Sequence, residues 1–217
     1  MNNRLMGSLL TFVAVAAGLS FAVPSHASAK IVTDVDKTAV VKTATSFGTA
    51  KSDDGAATGS ASLTPAAKRW QATTISYKIA SGSSYYKSVW SSAVKTWNRT
   101  GVVRLVKTSG KADITLSTSN SPMGKNDSTV GITYSSYYNN KTLNSLAVMA
   151  NAKSYVYKNV ANRYHYSKKE RTNVAEHELG HALGLEHNVG KGSVMYYATR
   201  DQSVSKPDVN GLAHSYR

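Results

Sequence analysis

The 217-residue sequence contains no cysteine. Disulfides are excluded, so any folded part is held by its apolar core and by whatever metal it binds. Acidic residues are scarce. Twelve Asp and Glu stand against 26 Lys and Arg, for a formal net charge of +14. The basic residues are scattered, with short pairs at Lys68-Arg69 and Lys168-Lys169. There is no basic stripe interleaved with aromatics and no nucleic-acid-binding motif. The charge therefore implies a soluble basic surface, or attraction to anionic polymers such as those of a cell wall, and no nucleic-acid partner. Long apolar runs are missing as well, except for one near the start.

That run, residues 9–19, follows Arg4 and precedes two small-x-small sites, Ser25-His26-Ala27 and Ala27-Ser28-Ala29. It is short for a membrane span of about 20 residues, and no second run follows. Residues 1–29 read as a secretory signal peptide cut after Ala27 or Ala29. With no cysteine behind it, such a signal suggests a bacterial export of Gram-positive type, secreted or cell-wall associated. Residues 30–68 are rich in Lys, Ala, Thr, Ser, Asp and Gly and hold few apolar points. They bury too little apolar surface to offset their ordering entropy. They read as a propeptide or a flexible linker.

From Trp70 onward the pattern is that of a packed domain. Thr74-Ile75-Ser76-Tyr77-Lys78-Ile79 alternates as a half-buried strand does. Tyr86, Val89, Trp90, Ala93, Val94 and Trp97 recur at spacings of three and four, which predicts an amphipathic helix ending before Gly101. Further strands are expected at 102–106, 112–117, 130–134 and 145–151. Residues 120–129 and Tyr137-Tyr138-Asn139-Asn140-Lys141 read as loops. Ser167-Lys168-Lys169-Glu170 fits a capping box, with Thr172 a second N-cap candidate, for a helix reaching about Leu183. Residues 208–216 form a last helix.

The second of these helices carries His177-Glu178-Leu179-Gly180-His181, followed by Ala182-Leu183-Gly184-Leu185-Glu186-His187. Histidines four apart share one helical face and can reach one metal ion. Glu178 can lean over the same ion without binding it. Gly184 can take a positive φ and end the helix, which lets the chain return with His187 as a third ligand. Three protein ligands leave a fourth position for water, the mark of a catalytic site.

These residues match the H-E-x-x-H-x-x-G-x-x-H signature of the metzincin metallopeptidases at every fixed position. Ser193-Val194-Met195-Tyr196 resembles their methionine turn. The order strand, helix, strand, strand, with Ala112-Asp113-Ile114 opening the third strand, is similar to matrixin-like catalytic domains, over residues 70–217. The resemblance implies an α+β fold of zincin type for 69–217. It would hold a twisted five-stranded mixed sheet, an active-site helix, a second packed helix and a C-terminal helix. One strand would form the sheet edge above the cleft.

The same resemblance implies a secreted, monomeric zinc endopeptidase acting on protein or peptide substrates. His177, His181 and His187 would hold one Zn2+, Glu178 would be the general base, and Met195 would pack beneath the metal. Tyr197 stands where a tyrosine can donate to the oxyanion or act as a fifth ligand; a packing role is the other reading. The loop 120–129 has no histidine for a second zinc, and Asn126 and Asp127 give thin support for structural Ca2+. Latency through a propeptide cysteine is excluded, and Asp53 or Asp54 capping the zinc reads equally well as a turn. The loop from Tyr197 to Pro207 would shape specificity. Glu176 and Glu186 read as solvated, and His165 and His214 as surface residues. Two other functions stay open: a cell-surface binding protein on a metallopeptidase scaffold, and zinc hydrolysis of a non-peptide bond.

Overall fold

The expected alternation from Thr74 produces strand β3 (Thr74–Ile79), with Ile75 and Tyr77 buried. It lies inside a sheet described here from a computed structural model. The structure describes residues 31–39 by their backbone, and residues 60–80, 82–123, 128–198 and 200–217. The signal peptide reading, Asp53, Asp54, Asn126 and Asp127 fall outside the described residues.

In chain order the strands are β1 (Ile31–Ala39), β2 (Lys68–Arg69), β3, β4 (Arg104–Lys107), β5 (Ile114–Ser119), β6 (Thr129–Leu143) and β7 (Leu146–Tyr157). They form one sheet in the order β1-β6-β7-β5-β3-β4, with β2 paired to β7. The five expected strands make its body. Pairs among β3, β4, β5 and β7 are parallel, and β6 runs antiparallel to β7. The sheet is therefore mixed. β1 and β2 are additions that the composition of residues 30–68 did not announce.

β6 is longer than expected and takes in Tyr137-Tyr138-Asn139-Asn140-Lys141, read above as a loop. The register explains why. Pairing with β7 slips between Tyr137 and Thr142, while Tyr137 and Tyr138 pair with Val32 and Ile31 of β1. The extended backbone is held there from the other side. The hairpin to β7 turns at Asn144 and Ser145, both at positive φ (51° and 65°), as a tight two-residue turn between twisted strands requires.

Helix α1 (Ser84–Arg99) buries all six residues of its predicted stripe. Its two indoles are satisfied: Trp90 Nε1 donates to Ser117 O at 3.1 Å, and Trp97 Nε1 to Glu176 O at 2.9 Å. A buried indole keeps its apolar contribution only if its N–H finds such a partner. The short helix α2 (Lys158–Arg163) follows β7, and α4 (Lys206–Ser215) ends the domain.

Helix α3 (Lys168–Ala182) starts at the expected box. Ser167 N donates to Glu170 Oε2 (2.6 Å) and Glu170 N to Ser167 Oγ (3.2 Å). Such a cap stabilises a helix by about 1 kcal/mol. α3 packs against α1, β6 and β7, and every residue from Asn173 to Ala182 is buried. That buried stretch includes Asn173, Glu176, His177, Glu178 and His181. Burying polar groups is costly unless each is hydrogen-bonded or holds a metal, so the rest of the chain must supply partners.

Glu176 shows the correction this forces. It was expected to be solvated, yet its exposure is 2%. Its carboxylate accepts from Ser203 Oγ (2.5 Å) and Val204 N (3.1 Å), and so holds the segment before α4. Glu186 is partly exposed and pairs with Lys68 Nζ at 3.0 Å, while His165 and His214 are exposed.

Candidate metal centre

α3 presents His177 and His181 one turn apart, with ring centroids 4.7 Å from each other. The helix ends where expected. Gly184 sits at φ +100°, and a Cβ there would overlap the carbonyl oxygen of Lys68. Glycine is thus needed twice, for the left-handed turn and for the close approach of another segment. The turn carries His187 back, 5.3 Å from the His177 ring and 4.8 Å from the His181 ring. Its neighbour fixes the return: Asn188 N donates to Met195 O at 2.8 Å, and Asn188 Nδ2 to Thr64 Oγ1 at 2.8 Å.

The hydrogen bonds assign the histidine tautomers. His177 Nδ1 lies 2.6 Å from Val194 O and His181 Nδ1 lies 2.9 Å from Leu185 O. A carbonyl can only accept, so both Nδ1 atoms carry protons. Burial, reinforced by the neighbouring histidines, pushes the His177 pKa well down, and burial beside His181 takes His187 to about 3. His177 and His187 are therefore neutral at pH 7. In a neutral ring whose Nδ1 is protonated, Nε2 is a bare lone pair. His177 Nε2, bare in this tautomer, lies 3.0 Å from His181 Nε2. His187 Nε2 is buried without a hydrogen-bond partner. A cation among the three resolves both features at once. One ligand atom from each histidine lies within 4.8 Å of the others, so the triad can hold a metal ion. Among the described residues it is the one group of three or more His, Cys, Asp or Glu side chains that could hold a metal ion.

Glu178 is fully buried beside the triad. Thr133 on β6 donates its hydroxyl to Glu178 Oε2 at 2.6 Å. Ser154 on β7 lies 2.9 Å from that hydroxyl and 3.2 Å from Glu178 O. Gly131 leaves room for the other oxygen, since a Cβ there would overlap Glu178 Oε1. These partners were missed in the sequence. The only trace of them is a run of small and polar residues, Gly131, Thr133 and Ser135, at alternate positions on the buried face of a strand.

Met195 is fully buried, and its sulfur lies against Gly180, so that a Cβ at 180 would overlap it. The turn that carries it is held by Asp208 of α4. Asp208 accepts from Thr64 Oγ1 (2.8 Å), Val194 N (3.1 Å), Ser205 N (2.9 Å) and Ser205 Oγ (2.7 Å), and also from Ser193 Oγ. Val194 is the residue whose carbonyl orients His177, so α4 reaches the centre through one peptide unit. Tyr197 is partly buried and packs on Tyr196, with centroids 4.7 Å apart. On the strands, Tyr134, Tyr155 and Tyr157 form a ring cluster. Burial, then Tyr134, Tyr155 and the charge of Glu178, drive the Tyr157 pKa far up.

Comparison with known proteins agrees with this centre. A 46-residue stretch is 44% identical to interstitial collagenase of Equus caballus, and covers 20% of this chain. The match spans only 10% of the collagenase, so the likeness concerns a short part of that protein. The matrixin family model matches residues 69–217, which takes in the triad, the methionine turn and the whole sheet from β3 onward. The chain belongs to the matrixin family, whose members are zinc-dependent metallopeptidases.

Proposed function

We propose that the chain is a secreted zinc endopeptidase, with His177, His181 and His187 as zinc ligands and Glu178 as the general base. The observation that carries this is three buried histidines whose ligand atoms lie within 4.8 Å of one another beside a buried carboxylate. Zinc bound there supplies Lewis acidity toward a carbonyl and toward water. The chain's own residues do the rest. Val194 O and Leu185 O hold two imidazoles in the ligating tautomer. Thr133 holds Glu178 Oε2 and Gly131 makes room for Oε1, and a carboxylate oxygen takes a proton from the attacking water. The same oxygen returns that proton to the leaving amine. Of the two roles open to Tyr197, its contact with Tyr196 supports packing.

The signal-like residues 1–29 support export, and the charge of +14 supports an anionic setting outside the cell. Among the described residues no helix is long and apolar enough to cross a membrane. Zinc-loaded protein should cleave unfolded protein and a peptide library, and chelator or Glu178→Ala should abolish cleavage. Failure of the zinc-loaded wild type to cleave either would sink the peptidase reading, and cleavage insensitive to chelator would sink the metal mechanism.

A further inference from the structure

β6 would be the edge of the sheet if β1 were absent. The edge is a functional one, because Gly131 and Thr133 of β6 flank the Glu178 carboxylate. β1 pairs antiparallel along it from Ile31↔Tyr138 to Thr38↔Gly131, and places Asp36 opposite Thr133. The register then breaks between Thr38 and Ala39, so the regular ladder ends level with Glu178. β1 also lies close to α3, the helix that carries His177 and His181. It therefore lies against both the sheet edge and the metal helix.

An exposed sheet edge binds an extended peptide by adding it as a strand, through main-chain hydrogen bonds that any sequence can make. A peptide whose scissile bond is to reach Glu178 needs this stretch of β6. Resting on the peptidase reading above, we propose that residues 31–39 hold the substrate-binding edge of β6 as an intramolecular strand. A peptide substrate would displace β1 and pair antiparallel in its place. Latency by this route needs no thiol, which suits a chain without cysteine.

In an antiparallel ladder only alternate residues hand their N–H to the neighbouring strand. Of Val35→Pro and Asp36→Pro, one therefore removes a bond to β6 and the other removes an outward N–H that an edge strand can spare. Both are made in the full chain. Hydrogen exchange is read in a Glu178→Gln background, so that nothing is hydrolysed during labelling. Backbone amides of 131–138 should be protected in the parent and in one proline variant, and should exchange about tenfold faster in the other, as loss of one ladder bond implies. In the Glu178 background the same variant should hydrolyse a fluorogenic peptide about tenfold faster at low substrate concentration. Equal exchange at 131–138 in all three proteins would overturn the strand. Faster exchange without faster hydrolysis, in a protein that does hydrolyse peptides, would overturn its blocking role. Absence of hydrolysis in every form would count against the peptidase reading alone, because the exchange data decide the strand separately.

Discussion

Asp208→Ala should be among the most damaging single changes in this chain, although Asp208 touches no histidine. Its carboxylate is fully buried and takes five donors. The hydroxyls of Thr64, Ser193 and Ser205 can turn to other acceptors. The backbone N–H groups of Val194 and Ser205 cannot. Each buried donor left unpaired costs about 1–3 kcal/mol, so the loss should be roughly 3–5 kcal/mol. Against a total stability of about 10 kcal/mol that is a large share. Asp208→Asn should cost less, because one oxygen can keep both backbone donors. Oδ2 alone accepts from Val194 N, Ser205 N and Ser205 Oγ, and Oδ1 accepts from Thr64 and Ser193. An amide nitrogen in the place of Oδ2 would face two backbone donors, whereas in the place of Oδ1 it meets hydroxyls that can accept. The damage should also reach the metal, because Val194 O holds His177 Nδ1. Losing such an outer hydrogen bond typically weakens metal binding about 10–100-fold. Urea denaturation in chelator gives the stability term, and zinc titration of the folded protein gives the affinity term. If Asp208→Ala stays within about 1 kcal/mol of wild type and binds zinc normally, the role assigned to Asp208 is wrong.

Gly184→Ala should lower stability by at least about 2 kcal/mol, since it combines a strained φ with overlap on Lys68 O; a melting temperature equal to wild type would refute the close approach. Thr133→Val removes the donor to Glu178 Oε2 at nearly constant volume, and should cut kcat about tenfold and shift the pH–rate profile while the fold persists, as loss of one charge-assisted bond implies. An unchanged profile would show that the hydroxyl does not position the base. Burial acts to raise the Glu170 pKa, but bonds from Ser167 and Arg200 outweigh it and hold the pKa down. Its contribution is therefore present above the unfolded carboxylate value of about 4.3 and is lost as pH falls through the folded value. The gap in urea midpoint between wild type and Glu170→Gln should be open at neutral pH and close in acid; a gap that persists in acid would show the bonds are not charge-dependent.

The centre was legible in the sequence where it depends on residue type and spacing. His177, His181, Gly184, His187 and Met195 each need one particular side chain, or none, at a fixed offset, and each sits where that offset puts it. The α1 stripe and the Ser167 cap were legible for the same reason. What was hidden works through atoms that every residue has. Val194 O and Leu185 O orient two histidines, and no side-chain pattern marks a carbonyl. The edge pairing of β1 is also a main-chain matter, and its polar composition concealed it. Glu176 was misread because a carboxylate on a helix is normally solvated, and the packing of residues 203–204 helps reverse that.

The third histidine shows how a chain without disulfides can still hold a loop to the precision a metal needs. Two ligands ride on α3, but His187 stands beyond the helix end, where backbone freedom is greatest. Its position is set from both sides. Glu186 N donates to Pro65 O, and Gly184 O accepts from Ala67 N, which ties the turn to the segment leading into β2. Asn188 ties the other flank to Met195 and to Thr64. Thr64 is in turn bound to Asp208. Residues 64–67 thus bridge the turn, the methionine loop and α4, although their composition reads as linker. Without this bridge His187 would sample many positions, and each zinc-binding event would have to order it. With it, the ordering cost is met in folding, so metal affinity and the stability of residues 60–69 should rise and fall together across variants.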